Sequence, residues 1–216
     1  MSYLDEFLVI AVVHFLAVAS PGPDFAIILK QSVRYGRKTA LMTSLGIGTG
    51  ILVHVAYSLV GIGLLIASDE RLFTLLKYIA ASYFCYIAWH GLRAKKPTIN
   101  EQGMARSNDP VPSNKRAFST GFLVNGLNVK ATLFFVSLFS MVISPDTPTE
   151  IKLSYGIYMA VATAAWFSLL SYLLNHQKMG MLIQTKGYWL DRIMGAILLL
   201  LAIELVLSDI SQAGIA

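Results

Sequence analysis

Six apolar stretches dominate this sequence, and each is long enough to cross a ~30 Å hydrocarbon layer, which takes roughly 20 residues of helix at ~1.5 Å rise per residue. They fall at about Phe7–Leu29, Ala40–Ala67, Leu72–Leu92, Ala117–Ile143, Leu153–Leu174 and Tyr188–Leu207. A helix in lipid satisfies its own backbone hydrogen bonds, so such stretches predict an all-α integral membrane protein with six transmembrane helices. Composition agrees: 56% of the 216 residues are hydrophobic and only 13% charged. The mean hydropathy of +0.63 implies more apolar surface than a water-soluble core can use. The second and fifth stretches contain no Asp, Glu, Lys or Arg. Gly46, Gly48, Gly50, Gly61 and Gly63 in the second would break a soluble helix of that length, whereas in lipid they let neighbouring helices approach closely. The first stretch opens with Asp5 and Glu6 instead of basic residues and runs into Ser20-Pro21-Gly22 instead of a small-x-small cleavage site. It therefore reads as a retained span, not as a signal peptide.

Lys and Arg in the loops set the orientation. The loops after spans one, three and five hold twelve of them: Lys30, Arg34, Arg37, Lys38, Arg93, Lys95, Lys96, Arg106, Lys115, Arg116, Lys178 and Lys186. The opposite side holds two, Arg71 and Lys152. The first group is expected in the cytoplasm, which puts both termini outside. The longest loop, Arg93–Arg116 with Pro97, Pro110 and Pro112, then divides a single transporter domain (1–216) into repeat one (about 1–92) and repeat two (about 117–216). Three spans per half is an odd number, so the halves enter the membrane in opposite directions, the topology of two inverted three-helix repeats. The net charge of +5 fits membrane orientation and not nucleic-acid binding, since no basic-aromatic alternation could stack bases. The single cysteine, Cys85, excludes an internal disulfide and cannot by itself form a Cys-based metal site.

Two spans are interrupted. Pro21 and Pro23 each remove a backbone donor and Gly22 is conformationally permissive, so helix one must unwind or kink there. Irregular backbone at membrane depth persists only against protein or a water-filled cavity. Asp24 follows where the helix resumes and N-terminal amides favour a carboxylate. A plain proline kink with Asp24 as its cap is the simpler reading, but a kink alone does not need the carboxylate. Leu127-Asn128-Val129-Lys130-Ala131 interrupts span four at the matching place. Lys130 lies near mid-span with Asn125 and Asn128 on the same helix, and a centrally placed charge costs ~3 kcal/mol on insertion scales, so these residues face the protein interior. Straight-helix arithmetic sets Asp24 roughly 8 Å and Lys130 roughly 20 Å from the cytoplasmic boundary, which leaves direct pairing open. A buried ion pair fixing the two halves is one reading. The other is a minimal complement to a zwitterion, a carboxylate for its ammonium and a cation for its carboxylate.

His54, midway through charge-free span two, is with Asp24 a candidate for proton coupling, against the commoner role of a hydrogen-bonded interior residue. His14 and His90 rank below it. Tyr83, Phe84, Tyr86 and Trp89 on span three read as packing or interface residues, and Asp191, Arg192 and Glu204 as headgroup-reaching ends of span six. No phosphate-cradling loop, Gly-x-Ser-x-Gly elbow or zinc helix appears; the Gly46–Gly50 run lacks a following Lys and lies within a span, so no cofactor, metal or enzyme chemistry is indicated. An intramembrane hydrolase would need a second catalytic group at the depth of Asp24, and none is placed there.

The blocks Ser20-Pro21-Gly22-Pro23-Asp24, Gln31–Lys38 leading into Gly46–His54, Ala81–Gly91 and Gly121–Phe135 together resemble the LysE/RhtB family of bacterial amino-acid exporters, closest to its homoserine/threonine-efflux branch. The resemblance covers essentially the whole chain. It implies an inner-membrane exporter driven by the proton gradient, with Pro21, Gly22, Pro23, Asp24, Asn128 and Lys130 near the translocation path; Asn125, on the same helix as Lys130, joins them from the reading of span four. It does not fix which amino acid is carried. One departure is Asn128-Val129-Lys130, where the family's usual run is Asn-Pro-Lys. Without that Pro, helix four is expected to be less broken than helix one. Efflux of another metabolite or a cation would share this architecture, while a non-transporting membrane subunit would leave Asp24 and Lys130 unexplained. Six short spans make a thin wall around a pathway, so a homodimer is also expected.

Overall fold

A computed structural model of the chain describes residues 2–68, 70–94, 110–144, 146–174, 186 and 188–213. These residues form eight helices and no strand: α1 (Tyr3–Ala19), α2 (Pro23–Tyr35), α3 (Arg37–Ser68), α4 (Glu70–Leu92), α5 (Asn114–Gly126), α6 (Val129–Met141), α7 (Thr149–Leu173) and α8 (Tyr188–Ala213). Lys95, Lys96, Arg106 and Lys178, on which the orientation argument partly rests, lie outside the described residues. By length and composition, Arg37–Gly61 of α3 and all of α7 can each cross a membrane; α1 with α2 and α5 with α6 qualify as bent pairs.

The bends have local causes. Ser2 starts α1 with a capping box, its amide donating to Asp5 Oδ2 at 2.9 Å while its hydroxyl accepts from the Asp5 amide at 3.2 Å. α1 stops at Ala19 because Ser20, preceding Pro21, is driven to extended backbone (ψ 133°). Pro23 then opens α2 at the first helical position, where its missing N–H has no intrahelical partner to lose. The two helices meet at 52°. Between α2 and α3, Gly36 has φ +85° and ψ 177°, a conformation essentially restricted to glycine.

Span four is as sharply broken as span one, at 56°, which corrects the expectation that losing the proline would straighten it. Asn128 does the work. Its extended backbone ends α5, and its side-chain oxygen accepts from the Lys130 amide at 3.0 Å to start α6. The end of α5 tightens as the Asn128 amide donates to the Asn125 carbonyl at 2.8 Å.

α3 packs against α5 and α7, α4 against α8 and α6, and α1 against α7 and α8. Glycines set the closest approaches. A side-chain carbon at Gly46 would overlap the Phe118 carbonyl of α5, and one at Gly121 of α5 would overlap the Thr43 carbonyl of α3. Gly48 faces Ala160 and Ala164 of α7, and Gly50 faces the Asn125 side chain. Gly61 meets no neighbour among the described residues, and Gly63 carries no described side-chain environment.

The large core cluster joins α1, α3, α4, α6, α7 and α8 around Ile10, Phe84, Phe135, Leu138, Met159 and Leu198. Leu8, Val12 and Phe15 of α1 and Ile157 and Val161 of α7 are exposed, as lipid-facing positions would be. Span-three aromatics divide: Phe84 is buried, whereas Tyr86 and Trp89 are exposed. Arg192 does not simply reach outward; its Nε donates to the Ala94 carbonyl at 3.1 Å, after the C-terminus of α4. Glu6 is buried at the opposite end of the fold. Its carboxylate accepts from Thr147 Oγ1 at 2.9 Å and the Ser144 amide at 3.1 Å, tying the start of α1 to the turn before α7.

Candidate functional site

The two breaks face one another. Where α1 gives way to α2, and α5 to α6, a cavity opens that is lined at this end by Ser20, Gly22, Pro23, Asp24, Asn125, Asn128 and Lys130. Its volume is about 50 Å³; one ordered water needs roughly 10–15 Å³, so the cavity holds a handful of water-sized groups. Asp24 and Lys130 are its two charged lining residues. The Asp24 carboxylate accepts from Asn125 Nδ2 at 3.0 Å and from Asn128 Nδ2 at 3.4 Å, both on Oδ2. The Lys130 ammonium donates to Ser20 Oγ at 3.2 Å and sits 3.7 Å from where a side-chain carbon on Gly22 would lie. Each charge thus crosses to the other half's break. The separation in depth drawn from straight helices does not hold because both helices bend at the site.

Two oxygens here, Asp24 Oδ1 and Asn125 Oδ1, are buried and accept no hydrogen bond from the described residues. Buried acceptors left unmet carry a desolvation cost of ~1–3 kcal/mol each. Asn125 Oδ1 faces Gly50 of α3, so the unmet acceptor at the site itself is Asp24 Oδ1; together with the Lys130 ammonium it can receive one donor-rich cationic group and one anionic group.

Of the sequence candidates, Gly22, Pro23, Asp24, Asn125, Asn128 and Lys130 line the cavity; Pro21 does not, and acts through the backbone that it bends. His54 lies behind the cavity wall. It is fully buried, its Nε2 donates to the Asn125 carbonyl at 2.9 Å, and Nδ1 meets the Tyr57 hydroxyl. The carbonyl can only accept, which fixes the proton on Nε2. His54 therefore positions Asn125, and its ring stacks on Phe135, which does line the cavity.

The sequence reading missed Ser20 as the Lys130 partner and Thr163 as a lining residue; it took Tyr83, whose hydroxyl donates to the Lys130 carbonyl at 3.3 Å, for packing, and ranked His14, which lines the cavity, below His54. His14, Ala17 and Val18 all line the cavity, and their i, i+3, i+4 spacing is a signal that was available. Thr163 carried none.

The Asn128 cap makes a specific prediction. Val129 is the first residue of α6, where proline is favoured, and Asn128 already has the extended backbone that precedes proline. Val129→Pro is expected to stay within ~0.5 kcal/mol of the parent in thermal unfolding. A loss above ~2 kcal/mol would show that the break is held by something other than this cap.

Polar and charged residues gathered where two bent helices meet in an all-helical membrane protein are the arrangement found in transporters with broken helices. Comparison with known proteins agrees. The model of the LysE type translocator family matches residues 15–209, and the chain belongs to that family. It is 31% identical over 204 residues to the threonine efflux protein of Escherichia coli K12, covering 94% of this chain and 98% of the relative. The threonine efflux protein of Salmonella typhi is 30% identical, with the same coverage. The leucine efflux protein of Salmonella choleraesuis is 31% identical over 159 residues, covering 73% of this chain and 72% of the relative. No solved structure matches.

Proposed function

We propose that this chain is a secondary transporter that exports neutral amino acids, of the threonine and homoserine type, across the bacterial inner membrane by proton antiport. The observation that carries the reading is the approach of Asp24 and Lys130, one from each broken helix, to a single cavity with an unmet carboxylate oxygen at its charged end. The charges suit an α-amino acid: Asp24 takes the ammonium, and Lys130 takes the carboxylate. Asp24 is also the group best placed to exchange a proton, because proton and substrate ammonium then compete for one carboxylate, which is what antiport requires. The names of the similar proteins, threonine and leucine efflux, support the substrate class.

In this reading α4 and α8 complete six spans, and the halves are inverted repeats. Pairings of like elements support that arrangement: α3 with α7, and α4 with α8. The Lys- and Arg-rich loops face the cytoplasm, both termini face outward, and two copies form a dimer around paired pathways.

Efflux from cells preloaded with a panel of labelled amino acids, with and without a protonophore, tests the proposal. Protonophore-sensitive release of neutral members is the expected result. No release across the panel, with the protein present in the membrane, would overturn it.

A further inference from the structure

Away from the charged end, the cavity wall is apolar, formed by Ile51, Ile87, Phe134 and Phe167, except at one place. There His14 of α1 meets Thr163 of α7, Nε2 to Oγ1, at 3.2 Å. Both side chains are about 1% exposed, and His14 Nδ1 accepts or donates no hydrogen bond among the described residues. His14 lies six residues before Ser20 on the same helix, ~9 Å of rise. A molecule held by its α-groups between Asp24 and Lys130 therefore directs its side chain along the wall toward this pair.

We infer that His14 and Thr163 read the side chain of the transported molecule and select a neutral amino acid bearing a hydroxyl over its apolar isostere. This rests on the amino-acid export reading. A neutral imidazole bonded to Thr163 through one nitrogen leaves the other as either a donor or an acceptor. A hydroxyl is both, so it satisfies Nδ1 in either tautomer, whereas a methyl group satisfies neither and leaves the nitrogen buried and unmet. Sites built to hydrogen-bond a substrate hydroxyl reject the analogue that lacks it far more strongly than apolar pockets reject an added one. Among the described residues Asp24 and Lys130 are the charged groups lining the cavity, and both are taken by the α-groups, so a basic or acidic side chain meets no counter-charge from these.

The test uses the full chain in proteoliposomes with two isosteric pairs, threonine with valine and homoserine with norvaline, read as the ratio of kcat/KM within each pair. The parent protein is expected to favour the hydroxyl member by about tenfold or more. Thr163→Val and His14→Gln are expected to bring that ratio to within about threefold while Thr163→Ser keeps it. A ratio is independent of how much protein is active, so a variant that folds less well still reports. Amino-acid transport with no preference within the pairs, or with a preference unmoved by Thr163→Val and His14→Gln, would overturn this inference and leave export standing. Absence of any amino-acid transport by the parent would instead overturn the export reading.

Discussion

Asp24→Asn is expected to reach the membrane and fold, yet to export at least ~10-fold more slowly per inserted molecule. The amide matches the carboxylate in shape and retains an oxygen that can accept from Asn125 and Asn128, so the junction between the breaks keeps its geometry. What disappears is the negative charge carried by the carboxylate with its unmet Oδ1. Hydrogen bonds to charged groups contribute ~1.5–3 kcal/mol, and at 1.4 kcal/mol per decade that range corresponds to a loss of roughly 10- to 150-fold. Removal of the titrating group also ends any exchange of proton for substrate, which pushes the loss in the same direction. Lys130→Met is expected to weaken transport for the complementary reason, loss of the cation for the substrate carboxylate. Efflux normalised to membrane-inserted protein reads both. Retained flux in both variants would remove the site from these residues.

Gly46→Ala is expected to be, with Gly121→Ala, among the most damaging single-methyl changes in the fold, and Gly46→Leu to leave no stable protein. The added carbon would overlap the Phe118 backbone carbonyl, and backbone cannot rotate aside as a side chain does. Forced separation of α3 from α5 loses their packing and overpacks the seam, at ~1–3 kcal/mol or more for the methyl alone. Gly61→Ala supplies the control on the same helix, because no described residue lies within 4 Å of its added carbon. It is expected to be neutral or to stabilise slightly, since alanine exceeds glycine in helix propensity by ~1 kcal/mol. Thermal unfolding of the two variants in detergent makes the comparison. Equal midpoints would show that the glycine contact is not close-packed.

Much of this was legible in the sequence. Pro21-Gly22-Pro23 acts through its own backbone, so the break it causes needs no knowledge of neighbours. Gly46, Gly50 and His54, spaced by four, form one stripe of α3, and all three meet α5: Phe118, the Asn125 side chain and the Asn125 carbonyl. That stripe could have been read from spacing alone. Gly61 could not be excluded from it without knowing where α5 ends. The break in span four was underestimated because proline was taken as its cause, when an Asn that caps the following helix suffices. The meeting of Lys130 with Ser20 was hidden for a different reason: two bends of about fifty degrees are a tertiary fact, and depth counted along straight helices cannot contain them. Thr163 was invisible because one hydroxyl in an apolar span has meaning only when its partner across the interface is known.

The seam between α3 and α5 has a mechanical consequence. Backbone lies against backbone at Gly46 and at Gly121, so the two helices interlock like a tooth in a notch and cannot slide by a fraction of a turn. Asn125 is carried on that unit, braced from behind by His54. The half of the site that holds Asn125 is therefore an anvil. If the chain exports as proposed, the motion is expected on the side that bends at Pro21 and Pro23 and carries Asp24, and its stroke is measured by how far that carboxylate travels from its two asparagines.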